Sequence, residues 1–174
     1  MLRAALARRS HSSVTEDSPS RAELLPIIEA ASRVADHSNL RPWRLIEIRD
    51  EGRDTLAKAL GKADGSKKPS SKPYRASLLI AVVASRQKSK VPEWEQDATA
   101  AGVAHMLSLL LDEAGWGVFW RTGDLTRAKA VRKAHGLRKN EELLGWLYVG
   151  GIKEKYIGGR GKRPVDPTKF ISSI

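Results

Sequence analysis

Six consecutive apolar residues, Leu78-Leu79-Ile80-Ala81-Val82-Val83, lie near the middle of the 174-residue chain. The run has the length of a strand and no polar residue at alternate positions, so neither face can be left in water. It predicts a central strand covered on both sides. The rest of the chain must then supply two covering layers. Leu24, Ile27, Ile28 and Ala31 keep helical spacing behind a Ser20–Glu23 capping-box pattern, with Pro26 as a conflicting residue. Glu51 to Leu60 reads as a second helix. The longest starts within Lys90-Val91-Pro92-Glu93-Trp94-Glu95-Gln96-Asp97, acidic where the macrodipole favours acids, runs to about Ala114 and stops at Gly115. Its Ala98, Ala101 and Gly102 form a small-residue face that lets a second helix come close. A further helix spans Thr126 to His135, and Leu2, Ala5 and Leu6 fit a short amphipathic helix ending near Arg8-Arg9-Ser10.

Alternation predicts strands at Trp43 to Arg49, Trp116 to Arg121 and Leu144 to Val149. Helices and strands mix without regular βα units, which predicts an α+β fold in one domain covering residues 1–174. Residues 61–74 read as a mobile basic loop. Residues 151–174 are too poor in apolar residues to form a layer, and read as a C-terminal arm that packs on a partner subunit.

Cysteine is absent, which excludes disulfides, thiolate nucleophiles and Cys-ligated metals, and fits a cytoplasmic location. No apolar run is long enough to span a membrane. The first fifteen residues hold Arg3, Arg8, Arg9 and several serines but no acid, as a transit peptide would. They are assigned to the folded domain because Arg8-Arg9-Ser10 belongs to the motif set below. Net charge is +11, with eight basic residues and one acid between Gly61 and Lys90, and six basic and two acidic from Gly151 onward. Such a field attracts polyanions and small phosphorylated ligands alike. Nucleic acid ranks lower, because exposed aromatics interleaved with the basic residues are missing.

The segment from Arg33 to Trp43 carries Arg33, His37, Asn39, Arg41 and Pro42 between a helix and a strand, more polar recognition chemistry than a joint requires. Arg8-Arg9-Ser10 offers two guanidinium forks and a hydroxyl suited to phosphate or an anionic ring oxygen. Trp120-Arg121-Thr122 aims an arginine from a strand end. Taken singly, each has an ordinary explanation: solvated surface arginines, a structural histidine, a buried tryptophan. Gly158-Gly159-Arg160-Gly161-Lys162-Arg163 lacks phosphate-loop spacing and a following helix, His11, His37, His105 and His135 show no metal-ligand spacing, and no G-x-S-x-G elbow occurs.

Together the motifs resemble the nitroreductase superfamily of FMN enzymes, in its short NAD(P)H nitroreductase subgroup. The match runs from about Leu6 to Gly150. It comprises Arg8-Arg9-Ser10, the Arg33 to Trp43 segment, Val91 to Gln96, Trp120-Arg121-Thr122-Gly123 and Gly145 to Gly150, in that order. The resemblance implies a three-layer fold with a mostly antiparallel central sheet flanked by helices, in an intertwined homodimer with FMN at the subunit interface. Arg8, Arg9 and Ser10 are then expected at the flavin phosphate and ring edge. Arg33, His37, Asn39 and Arg41 contact FMN from the opening loop, and Trp120, Arg121 and Thr122 from the strand end. Arg160 or Arg163 adds a phosphate contact from the arm. NAD(P)H is the co-substrate, and a nitroaromatic, quinone or similar small molecule the acceptor. The flavin carries the chemistry, so no side chain is expected as a nucleophile, and Arg9 or Arg121 stabilises the anionic reduced ring. A flavin-binding protein with little turnover is the alternative. Three features depart from the family: Arg41 replaces the usual Gln before Pro-Trp, the 61–74 segment is short and lysine-rich, and the tail is more basic.

Overall fold

The computed structural model describes residues 2–156 and 165–174. Four strands form one antiparallel sheet in the order β1-β2-β4-β3: β1 Trp43–Ile48, β2 Leu78–Ser85, β3 Trp116–Arg121 and β4 Glu141–Gly151. Among the described residues five α-helices accompany them: α1 Leu2–Ala7, α2 Arg21–Ala31, α3 Asp50–Ala63, α4 Glu93–Glu113 and α5 Lys129–Ala134.

The apolar run behaves as its composition demands. Every residue of β2 is buried, and its side chains divide between two cores. Leu79, Ala81 and Val83 pack with Leu56 and Leu60 of α3 and Val131 of α5. Leu78, Ile80 and Val82 pack with Leu24 and Ala31 of α2 and Ala104, Leu107 and Leu111 of α4. The result is helices, sheet and helices in three layers, each enclosed Leu or Ile contributing about 2 kcal/mol of burial. No helix among the described residues is long and apolar enough to cross a membrane.

Local signals explain most boundaries. Ser20 and Glu23 form the reciprocal capping box at the start of α2, and the helix runs through Pro26. α4 opens with Glu93 and Glu95 in its first turn. The helix expected from Thr126 to His135 is divided into a 3-10 turn, Asp124–Arg127, and α5, because Ala128 between them has extended backbone. Within α5's environment His135 is buried and neutral in character. Its Nδ1 lies 2.8 Å from the Val131 carbonyl oxygen, while Trp146 Nε1 donates to Nε2 at 2.9 Å. Burial pushes its pKa down.

Two expectations are corrected. β4 begins at Glu141, three residues before the expected Leu144. Its pairing with β2 slips between Val82, opposite Gly145, and Val83, opposite Leu143, so Leu144 forms a bulge that lets the strand continue. The 61–74 segment also has more structure than a loop. α3 continues to Ala63, Ser66 N donates to Gly61 O, Ser70 N donates to Ala57 O, and a 3-10 turn over Lys72–Arg75 buries Pro73. The segment is folded back against α3.

Residues 11–17 run along the exit of β4. His11 and Val14 are buried, Thr15 N donates to Gly151 O, and Val14 bridges to Ile152. Gly150 permits this crossing: a Cβ there would sit 2.6 Å from Thr15 O and 2.8 Å from Val14 Cβ. In residues 165–174, Val165, Phe170, Ile171 and Ile174 are exposed.

Candidate functional site

The opening loop is an irregular backbone tied to its own carboxylate. Asn39 N donates to Asp36 O at 3.1 Å, and Arg41 N donates to Asp36 Oδ2 at 2.8 Å. Ser38, Asn39 and Arg41 have φ of 62°, 52° and 47°, so three side-chain-bearing residues occupy left-handed backbone. Each such placement costs about 1–2 kcal/mol, and strain of this kind concentrates where a loop must hold a set shape for a ligand. Pro42 is buried and directs the chain into β1. Arg33, Asn39 and Arg41 line an open cavity of about 900 Å³ together with Leu25, Ile28 and Trp43.

His37 stands on the same loop, exposed, with Nδ1 2.8 Å from Glu95 Oε2 in the first turn of α4. That contact fixes the ring and leaves Nε2 for another partner. The α4 terminus is itself held firmly. Arg86 makes a two-pronged pair with Asp97 at 2.9 and 2.7 Å. Buried Gln96 donates to Gln87 O and Val91 O and accepts from Gln87 N. Gly102 faces Val34, so part of the small-residue face of α4 is covered by the chain's own opening segment.

The second group sits elsewhere. Arg8 and Arg9 are half-buried and Ser10 is exposed, just past the end of α1. His11 follows, buried, with Nδ1 3.8 Å from Asp112 Oδ1 near the C-terminus of α4. Burial pushes the His11 pKa down and the Asp112 pKa up, while His11, Arg8 and Arg9 draw the Asp112 value the other way. The arginine pair therefore shapes the field at this end of α4.

Trp120, Arg121 and Thr122 lie beside that group. The Arg121 guanidinium is over Phe119 at 4.4 Å and Tyr148 at 5.1 Å, and Nη2 donates to Ser12 O at 3.4 Å. Trp120 meets His105 edge-on at 5.0 Å. Trp120 Nε1 and Arg121 Nε are buried with no hydrogen-bond partner among the described residues, donors well suited to a polar ligand. Trp120, Arg121 and Thr122 line a cleft of about 420 Å³ with Lys72, Leu60 and Tyr148. Lys72 and Tyr148 were not singled out from sequence: one was a charge among many, the other an apolar strand position.

Gly145 makes this corner possible. Its φ is 137°, and a Cβ would lie 2.3 Å from Arg121 O and 2.8 Å from Trp120 Nε1. Gly145→Ala is expected to destabilise the fold by about 2 kcal/mol and to displace the Trp120-Arg121 corner. Chemical denaturation and the tryptophan emission maximum check this. An unchanged midpoint and emission would show that the strands separate without cost.

One chain thus joins Arg8-Arg9-Ser10 to Trp120-Arg121-Thr122 through the Arg121–Ser12 bond, but leaves Arg33, His37, Asn39 and Arg41 apart. Glu95, which holds His37, and Asp112, which faces His11, are at opposite ends of α4. At 1.5 Å rise per residue they are about 25 Å apart along the helix. Arg160 and Arg163 lie outside the described residues.

The comparisons agree with this architecture. The family model described as "Nitroreductase family" matches residues 5–151. A protein of Escherichia coli strain K12, named "Putative NAD(P)H nitroreductase YdjA", is 34% identical over 174 residues, covering 95% of this chain and 94% of that protein. Among solved structures, a nitroreductase-like family protein from Bacillus cereus superposes with a TM-score of 0.83 at 20% identity, covering 99% of this chain and 95% of that one. The FMN and NADPH-dependent nitroreductase NfnB from Sphigopyxis sp. strain HMH gives 0.76 at 18% identity, covering 99% and 98%. These two likenesses are of fold. With the family model spanning most of its length and a 34% identical relative over nearly all of it, this chain belongs to the nitroreductase family.

Proposed function

We propose that this protein is an FMN-dependent oxidoreductase that passes hydride from NAD(P)H to a nitroaromatic, quinone or similar electrophilic acceptor, acting as a homodimer with FMN between its subunits. The observation that carries the reading is the separation of the His37 loop, held by Glu95, from the Arg8-Arg9-Ser10 end, beside Asp112, by about 25 Å along α4. Neither group is a complete site: one has the paired arginines and the Trp120-Arg121 corner, the other the strained His37 loop. A second copy brings the loop of one chain to the arginines of the other. The exposed Phe170, Ile171 and Ile174 of the arm are suited to a partner's surface.

The residues fit the cofactor on three counts. Arg8 and Arg9 match a phosphate, Arg121 and Trp120 hold buried donors without partners, and Lys72 adds a cation to the same cleft. The chemistry that FMN supplies when bound is two-electron transfer between a nicotinamide and an oxidised acceptor. This chain's own part is to position and to charge the site. Arg121, held by Phe119, Tyr148 and the Ser12 carbonyl, would set a fixed cation beside negative charge on a flavin bound there. Thr122 offers a hydroxyl from the same corner. Glu95 holds His37 through Nδ1, which leaves the Nε2 of this exposed ring available to a ligand.

The purified protein is expected to be yellow, with flavin absorption bands, and mixing with NADH or NADPH under anaerobic conditions should bleach them faster than steady-state turnover. A colourless protein that cannot be reconstituted with FMN would overturn the reading. Tight FMN binding with bleaching too slow for turnover would leave a flavin-binding protein in place of an enzyme.

A further inference from the structure

A second cleft, of about 730 Å³, opens between residues 12–16, the 74–77 turn and Lys153. Its charge is one-sided. Arg53, Arg75 and Lys153 line it against a single carboxylate, Glu16. Among the described residues neither Arg75 nor Lys153 forms an ion pair, and Arg53 reaches only the exposed Asp50, at 3.9 Å. The Arg53 guanidinium is otherwise fixed, with Nη1 donating to Ala76 O at 3.2 Å and the group lying 6.0 Å from the Tyr74 ring centre.

Two polar atoms on this wall are buried without a hydrogen-bond partner among the described residues, Arg53 Nε and Ser77 Oγ. Buried donors are nearly always satisfied, so two unpaired donors on residues that line a basic cleft favour an acceptor there. Three cations and the hydroxyls of Ser13 and Ser77 offer many donors and few acceptors. That inventory suits a ligand with several anionic oxygens on one centre, which arginine forks and a lysine point charge share well. The volume leaves room for a phosphorylated molecule larger than one inorganic anion. The cleft also adjoins the flavin-type cleft: Ser12, on its rim, is the residue whose carbonyl accepts from Arg121.

We propose that this cleft binds a phosphomonoester, and that it takes the 2′-phosphate of NADPH, giving the site a preference for NADPH over NADH. The choice of that source rests on the function proposed above, whereas the anion site itself does not. The other source of the same chemistry is the flavin's own phosphate.

The test uses the purified full-length protein and its Arg75→Gln/Lys153→Gln double variant, both changes being on the rim rather than in the core. Calorimetric titration with 2′-AMP, with adenosine as control, should show at least tenfold weaker 2′-AMP binding in the double variant at unchanged flavin content. Glu16→Gln should act in the opposite direction and tighten 2′-AMP severalfold, which a loss of folding cannot mimic. If the double variant instead loses flavin and its FMN dissociation constant rises tenfold, the phosphomonoester site stands and its source is the flavin phosphate. Unchanged binding of both 2′-AMP and FMN in the double variant overturns the proposal. If the wild-type protein proves unable to bind flavin, the function above fails on its own. Saturable binding of orthophosphate, lost in the double variant, then still decides the anion site.

Discussion

Arg44→Met is expected to destabilise the protein by about 3–5 kcal/mol, toward the lower end of that range. Glu141 is fully buried at the start of β4. Its carboxylate accepts from Arg44 Nε at 2.8 Å and Nη2 at 2.9 Å, from Arg138 N at 2.9 Å and Nη2 at 2.8 Å, and from Ser85 Oγ at 3.1 Å. These donors come from β1, from β2 and from the turn before β4, so one carboxylate joins three strands at a single sheet end. Removing Arg44 leaves a buried charge with only the exposed, local Arg138 to answer it, a far costlier outcome than losing a surface pair. Glu141→Gln removes charge and keeps shape and one acceptor, so it should cost less, about 1–2 kcal/mol.

The pH dependence follows with a defined sign. The Arg44 hydrogen bonds, with help from Arg138, hold the Glu141 carboxyl well below its ordinary value of 4.5. The unfolded chain therefore takes up this proton first as pH falls. The stabilisation is complete above about pH 4.5 and is lost as pH drops through the folded value. Urea midpoints measured between neutral and acid pH should show that slope in the parent and a flatter one in Glu141→Gln. A loss below about 1 kcal/mol in Arg44→Met would show that the buried carboxylate is no linchpin.

This same cluster shows where sequence reasoning stops. β2 was legible because its burial is written in six adjacent residues, and α2 because a capping box is local. Glu141 at a strand start reads as loop, since its partner Arg44 is 97 residues away. Ala63 and Pro73 read as loop for a similar reason: their burial depends on packing that periodicity does not carry. At the site, the residue types were visible and their arrangement was not. Arg8-Arg9-Ser10 and Trp120-Arg121-Thr122 stood out as arginine-bearing element ends, yet only the Arg121–Ser12 bond shows that they adjoin. His37 was legible as a histidine in a polar loop, and its fixed orientation depends on Glu95, 58 residues on. Arg41 was read as a cation where relatives carry an amide. The structure adds a backbone role that no side-chain pattern signals, a left-handed residue whose N–H is taken by Asp36. The basic cleft around Arg53 and Ser77 was invisible as a unit, because its cations are scattered over a hundred residues.

The second large effect concerns the divided site. If each complete site takes its arginines from one chain and its His37 loop from the other, then Arg8→Ala and His37→Ala each damage both sites of a homodimer. Each variant should therefore retain flavin at least tenfold less well, while gel filtration shows the dimer intact. On the proposed function, Arg8 would supply a charge-assisted phosphate contact, and His37, held in place by Glu95, would meet a ligand bound mainly by the other chain. A variant that stays yellow with unchanged stoichiometry would remove that residue from the site.

The measurement that bears most directly on a site shared between chains is the flavin content of a mixed dimer. The Arg8→Ala and His37→Ala chains, co-expressed with different affinity tags and purified through both, form a dimer with one copy of each. When sites are built across the subunits, one site of this dimer carries both lesions and the other carries neither. It should hold one flavin per dimer and recover about half of the parent's activity, although both homodimeric variants are nearly colourless. A mixed dimer as colourless as those two variants would contradict the account, because it would place both residue groups of each site on the same chain.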